Sequence, residues 1–178
     1  MARALHLHHH HPRAVEVVVS LWLSLLLWSA LFWAGGLLAL FADLQLGVAA
    51  FAPLWLQVIG LVLSVLGLVL VALSAHWLLR LGGSQASSWF GHSDTLVQEG
   101  VYGLVRHPMY LGFIALAYGY GLLLNSVTFT VAVATLVALA LSWKAHREDR
   151  QLVERHGKRF HAYRERTRGF LPVRRRSP

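Results

Sequence analysis

Three long stretches of the chain carry no charged residue: 17–42, 44–75 and 110–143. Each exceeds the roughly 20 apolar residues that cross a bilayer. The first is also too long for the apolar region of a cleaved signal peptide. The pattern predicts an all-α, integral-membrane helical bundle. Its first span runs from Glu16 to Phe41, and its second from Pro53 to Leu81. The loop between them, Ala42 to Pro53, holds one charge, Asp43. The third stretch has 34 residues, about 51 Å as a single helix. A hydrocarbon core is only about 30 Å thick. Asn125-Ser126 interrupts this stretch near its middle and predicts a tight turn. A short span from Pro108 to Leu124 and a second from Val127 then form a hairpin. The second continues past Trp143 into charged sequence.

Charge placement supports four transmembrane helices. With that number, the N-terminus, the Arg80 to Pro108 loop and the C-terminus share one side. All 16 Lys and Arg then fall on it, and the positive-inside rule makes it cytoplasmic. A single span across 110–143 would divide the basic residues between both sides. The expected location is the inner or plasma membrane of a bacterium or archaeon, with both termini cytoplasmic.

Composition adds limits. The chain has 178 residues, 56% hydrophobic, with seven Trp and no Cys. That length and composition suit one membrane domain. It divides into a polar, His-rich N-terminus (1–15), two spans (16–81), a polar loop (82–109), the hairpin (110–143) and C-terminal helices with a basic tail (144–178). The absence of Cys excludes disulfides, Cys-based zinc sites and thiol catalysis. His6, His8, His9, His10 and His11 have no acidic residue among them to fix a coordination geometry. They read as a polar surface segment, and no metal is expected. Gly157 ends the helix that follows the hairpin. Phe160 and Tyr163 then suit a short amphipathic helix on the membrane surface. The basic segment from Arg164 to Arg176 fits anionic lipid headgroups better than nucleic acid. Gly60, Gly67, Ser64 and Ser74 lie at spacings that favour close helix contact, as does Gly35-Gly36.

The candidate chemistry lies between the second and third spans. Arg106-His107-Pro108-x-Tyr110-x-Gly112 is polar and glycine-bearing in an otherwise apolar protein. Pro108 suits the first turn of a helix and pushes His107 out of helical geometry. His107 is therefore expected at a helix start, a natural place for an anion. A second polar stretch, Lys144 to Leu152, continues the last helix. Lys144 and Glu148 are four apart and share a face. Only the hairpin brings the two stretches together.

The combined pattern is Leu96-Val97, Gly100-x-Tyr102, Arg106-His107-Pro108-x-Tyr110-x-Gly112, Glu148-Asp149-x-x-Leu152, Gly157, Tyr163 and Phe170-Leu171-Pro172. It resembles the isoprenylcysteine carboxyl methyltransferase family, part of a wider group of integral-membrane methyltransferases that includes the phospholipid N-methyltransferases. The resemblance covers about Asp94 to Pro172 and looks like a small prokaryotic member. It implies S-adenosylmethionine as cofactor, bound by a cytoplasmic loop. By the family pattern Asp94, Thr95, Leu96, Val97, Tyr102, His107, Pro108, Met109, Tyr110, Glu148 and Asp149 surround that cofactor. Lys144, Glu148 and Arg106 are the expected catalytic group, with Arg106 holding the loop against an acidic partner.

Two departures bear on the substrate. Asp149 stands where the family usually has a second Glu. Lys144 stands where many members carry Arg, and Lys cannot make the Arg fork. The expected acceptor is lipophilic, small or lipid-modified, and enters sideways from the bilayer. Tyr118 and Tyr120 either line that path or pack helices, packing being the commoner role of buried aromatics. The ammonium of Lys144 favours an anionic acceptor such as an isoprenylcysteine-type carboxylate. The alternative is the amine of phosphatidylethanolamine. A membrane reductase, or a membrane protein without catalysis, is the reading from another class.

Overall fold

The computed structural model describes residues 14–48, 53–81 and 95–170, with the side chains of 14–25 and of Trp28 left aside. The His-rich N-terminus, the whole 82–94 segment and the tail from Leu171 lie outside the described residues. Five helices follow one another: α1 (Ala14–Gln45), α2 (Leu54–Leu81), α3 (Pro108–Leu123), α4 (Ala134–His156) and α5 (Lys158–Arg166). Helical structure also leads into α4, with a π-helical stretch at Phe129–Val133. A 3-10 turn, Gly100–Gly103, precedes α3. Among the described residues there is no strand, only an isolated parallel bridge between Val105 and Arg168. The fold is all-α, as expected.

Two described helices are long and apolar enough to cross a membrane, Leu54–Leu81 and Phe129–His156; Pro108–Leu123 is apolar but shorter. Their packing is inverted relative to a water-soluble core. The buried residues of α2 are Gly60, Gly67, Ser74 and Leu78. Large apolar side chains point outward instead, including Leu38, Leu68, Leu136 and Trp143, each at least 60% exposed. Such a surface needs lipid as its solvent, and small residues at the seams are how helices associate there. The chain is a membrane protein.

Backbone contact between α2 and α3 follows from one repeat. Gly60 and Gly67 are seven residues apart, as are Gly112 and Gly119. The two pairs meet in antiparallel order. A Cβ on Gly67 would lie 2.6 Å from the Gly112 carbonyl oxygen, and one on Gly119 would lie 2.6 Å from that of Gly60. No side chain fits at either level. The helices touch main chain to main chain, which fixes where α3 begins relative to the end of α2.

The hairpin turns at Leu124 and Asn125 as the sequence predicts. Asn125 takes a left-handed conformation with φ 56°, which Asn tolerates better than most residues. One boundary differs from expectation. The segment 42–45 is helical rather than loop, and Asp43 is 6% exposed. Its carboxylate accepts hydrogen bonds from the Ser126 hydroxyl, the Thr128 hydroxyl (2.6 Å) and the Thr128 N–H (3.0 Å). Ser126 Oγ in turn accepts the Phe129 N–H at 3.1 Å. A carboxylate from α1 thus satisfies the donors that a helix start leaves open. Asp43 makes these contacts from within the last turn of α1. Tyr120 packs edge-on against Phe32, Trp33 and Phe129. Tyr118 shares a 3.1 Å hydrogen bond with Thr135. Both tyrosines therefore pack helices.

Candidate active site

At the opposite end of the hairpin, the start of α3 meets the charged extension of α4. His107 precedes Pro108, the first residue of α3, with φ −121° and ψ 57°. The extension presents Glu148 and Asp149 to it. His107 Nε2 lies 3.0 Å from Asp149 Oδ1, and against an ionised carboxylate that nitrogen is the donor. Arg106 Nη2 reaches the other oxygen, Oδ2, at 3.1 Å. Tyr110 donates its hydroxyl to Glu148 Oε2 at 2.9 Å. The His107 Nδ1 to Glu148 Oε2 distance is 3.8 Å. The imidazole lies nearly parallel to the Tyr110 ring, with centroids 5.6 Å apart and planes at 10°. Two adjacent carboxylates are thereby divided in role. Asp149 is committed to holding Arg106 and His107, while Glu148 faces a cleft.

The division has electrostatic consequences. Burial alone would raise the Asp149 pKa, but the His107 hydrogen bond, with the charges of His107 and Arg106, holds it below the ordinary value. Burial first, and then the Glu148 charge, pushes the Tyr102 hydroxyl above the ordinary tyrosine range. Burial also raises Tyr163, against the pull of Arg106. Both phenols stay neutral and remain hydrogen-bond donors. Burial lowers Lys144, and the Glu148 carboxylate opposes that shift.

The C-terminal helix closes the arrangement. Gly157, with φ 49° and ψ −122°, turns the chain out of α4, a conformation open to glycine and strained for other residues. In α5 Phe160 and Tyr163 are buried. Tyr163 donates to the Tyr102 carbonyl at 2.6 Å. The chain then runs beside the motif itself. The Arg106 N–H donates to the Arg168 carbonyl (2.9 Å) and the His107 N–H to that of Gly169 (3.0 Å). Phe170 packs against the imidazole at 5.7 Å. From the α2 side, Trp77 fills the space over Gly100, where φ is +57° and a Cβ would collide with the indole. The left-handed φ favours glycine, and the indole leaves no room for a Cβ.

Of the expected cofactor-site residues, Leu96, Val97, Tyr102, His107, Pro108, Met109, Tyr110 and Glu148 line this cleft, and so does Arg106, expected in the catalytic group. Two other expected cofactor residues, Thr95 and Asp149, and the expected catalytic Lys144 stand elsewhere. Thr95 is exposed and hydrogen-bonds the Leu81 carbonyl at the end of α2. Asp149 sits behind His107, in the ion pair rather than on the wall. Lys144 lies over the Tyr110 ring, 5.3 Å from its centroid, outside the cleft lining. Asp94 is outside the described residues. The wall also includes Leu78, Gln151 and Arg155, which the sequence reading did not select. Gln151 and Arg155 follow Glu148 by three and seven residues, so helical spacing alone puts them on its face. Leu78 carried no comparable signal.

A model of the phospholipid methyltransferase family matches residues 55–159. The chain belongs to that family. It is 30% identical over 132 residues to the cobalt-zinc-cadmium resistance protein CzcN of Cupriavidus metallidurans, covering 74% of this chain and 57% of that protein. It is 31% identical over 78 residues to a protein-S-isoprenylcysteine O-methyltransferase of Schizosaccharomyces pombe, covering 44% of this chain and 33% of that enzyme. The chain thus spans between a third and three-fifths of the length of these relatives. No solved structure matches it. The family resemblance drawn from the motifs therefore holds, and the matched span runs from α2 into α5.

Proposed function

We propose that the protein is an S-adenosylmethionine-dependent methyltransferase acting on a lipophilic acceptor at the membrane surface. The observation that carries this reading is Glu148. Its carboxylate, held by Tyr110, faces a cleft whose other walls are mostly apolar or aromatic. Such a lining fits a cofactor that joins a cationic methionine part to a flat adenine ring. Glu148 suits the ammonium or ribose, and Leu96, Val97 and Tyr102 suit the adenine. The start of α3 suits the carboxylate, because helix geometry leaves the Met109 and Tyr110 N–H groups without intrahelical partners.

When bound, the cofactor supplies a methyl group already activated by a sulfonium, so the protein's task is alignment. Arg106, His107 and Asp149 fix the loop. Tyr110 fixes Glu148. The test is binding to purified full-length protein. S-adenosylmethionine is expected to bind, and His107→Ala to weaken it in a folded protein. Binding of a nicotinamide cofactor instead would overturn the reading in favour of a reductase.

The proposed topology has four spans, with both termini and this cleft on the cytoplasmic side of a plasma or inner membrane. The support is that a four-span path puts every Lys and Arg on one side. Cysteines placed at Gly47 and Ser177 should label from opposite sides of intact cells, and same-side labelling would remove the hairpin from the membrane.

For the acceptor, the proposal is an isoprenylcysteine-type carboxylate. Its support is Lys144, one helical turn before Glu148 and against Tyr110, where an ammonium attracts an anion and repels an amine. Lys144→Ala is expected to raise the acceptor KM while cofactor affinity stays unchanged. Methylation of phosphatidylethanolamine, with prenylcysteine and lipophilic acids inert, would reverse this choice.

A further inference from the structure

Behind the Arg106–Asp149 pair lies a second cleft, between α5 and the segment 167–170. Its lining includes Arg106, His161, Arg164 and Arg168, with Glu165 as its one acidic residue. We infer that this cleft is a binding site for a phosphate-type anion, separate from the methyl-donor cleft and sharing Arg106 with it. Four observations converge. The bridge between Val105 and Arg168, with the two backbone hydrogen bonds beside it, fixes Arg168 alongside Arg106. Arg106 spends Nη2 on Asp149, but its Nε is buried and without a hydrogen-bond partner. Buried donors are normally paired, and the residue that carries this unpaired one lines the second cleft as well as the first. Arg164 and Arg168 have no carboxylate within ion-pair distance among the described residues, and Arg164 acts on Asp149 only through space. Finally, Gly169 lines the recess without adding a side chain to it.

Guanidinium groups converging on one recess suit the several acceptor oxygens of a phosphate. Two sources share that chemistry: the headgroup of an anionic phospholipid and a free phosphate group. The cleft includes Arg106, two residues before the apolar helix α3 begins, so a headgroup at that helix end can reach it. An anion there would share Arg106 with Asp149, and through Asp149 would bear on His107 in the first cleft.

The test uses the full chain in detergent without methyl donor, so its result is independent of the proposed activity. One arm measures inorganic phosphate by equilibrium dialysis. The other measures retained lipid by native mass spectrometry, from micelles doped with phosphatidylglycerol or phosphatidylcholine. Saturable binding is expected in at least one arm, and the arm identifies the source. Arg164→Ala/Arg168→Ala should weaken it roughly tenfold or more, because charge-assisted hydrogen bonds are lost. Lys158→Ala/Arg159→Ala removes the same charge from α5 outside the cleft and should bind as the parent does. No saturable binding in either arm, parental affinity in the first double variant, or an equal loss in the second would overturn the site.

Discussion

The two ends of the α3–α4 hairpin use the same chemistry to opposite effect. At the turn, Asp43 is buried with its carboxylate wholly engaged by Ser126 and Thr128. At the other end two carboxylates stand side by side. Asp149 is engaged in the same way, by Arg106 and His107. Glu148 keeps one strong hydrogen bond, from Tyr110, and faces a cleft. A carboxylate with both oxygens engaged by neighbouring side chains is a fastener. One that is oriented but left facing a cavity is available to a ligand. The lesson is that burial does not separate structure from function here; what separates them is whether acceptor capacity is left over and faces a cavity.

The comparison breaks most severely at Asp43. Asp43→Ala removes several hydrogen bonds to a charged group and leaves the start of the helical stretch that leads into α4 unsatisfied, an expected loss of about 3 kcal/mol. Thermal unfolding in detergent measures it. The folded fraction should keep its affinity for S-adenosylmethionine, and a parallel loss of affinity would mean that the turn end also shapes the cleft.

Glu148→Gln tests the other side. It keeps the size and removes the charge, so S-adenosylmethionine affinity should fall by about 1.5–3 kcal/mol, roughly ten- to a hundredfold. Thermal stability should move far less than in Asp43→Ala. Unchanged affinity would take Glu148 out of the cofactor site.

The smallest effect concerns Asp149 and acid. Its folded pKa is lowered from the ordinary 3.8. Its contribution is therefore complete above that value and is lost as pH falls through the lower, folded one. The difference in thermal midpoint between parent and Asp149→Asn should be constant from pH 7 down to about 4 and shrink below that. A difference that shrinks already between pH 7 and 5 would contradict a lowered Asp149.

Much of this was legible in one dimension. The uncharged stretches set the helices, because only helices satisfy their own backbone in lipid. Asn125-Ser126 marked the turn, because an apolar helix of that length overshoots a bilayer. Arg106-His107-Pro108-x-Tyr110 and Glu148-Asp149 marked the site, because charge inside an apolar chain needs partners. The sequence alone also determined family membership, through those motifs and their spacing.

Other features depended on residues far apart in the chain. Which of two neighbouring carboxylates faces the cleft was decided by the phase of α4 against α3. That Lys144 stands outside the cleft lining has the same origin, whereas Thr95 is held at the end of α2 by the Leu81 carbonyl. The capping by Asp43 of the helical stretch that leads into α4 joins residues 83 and 85 positions apart, and nothing local to Asp43 announces it. The clamp of residues 168 and 169 on Arg106 and His107 is made through backbone N–H and carbonyl groups. Every residue but proline carries both, so such a pairing leaves no mark in the order of side chains. Side-chain periodicity determines what a helix must bury, whereas the rotation and approach of helices come from glycine-to-glycine contact between α2 and α3, which exists only once both are packed.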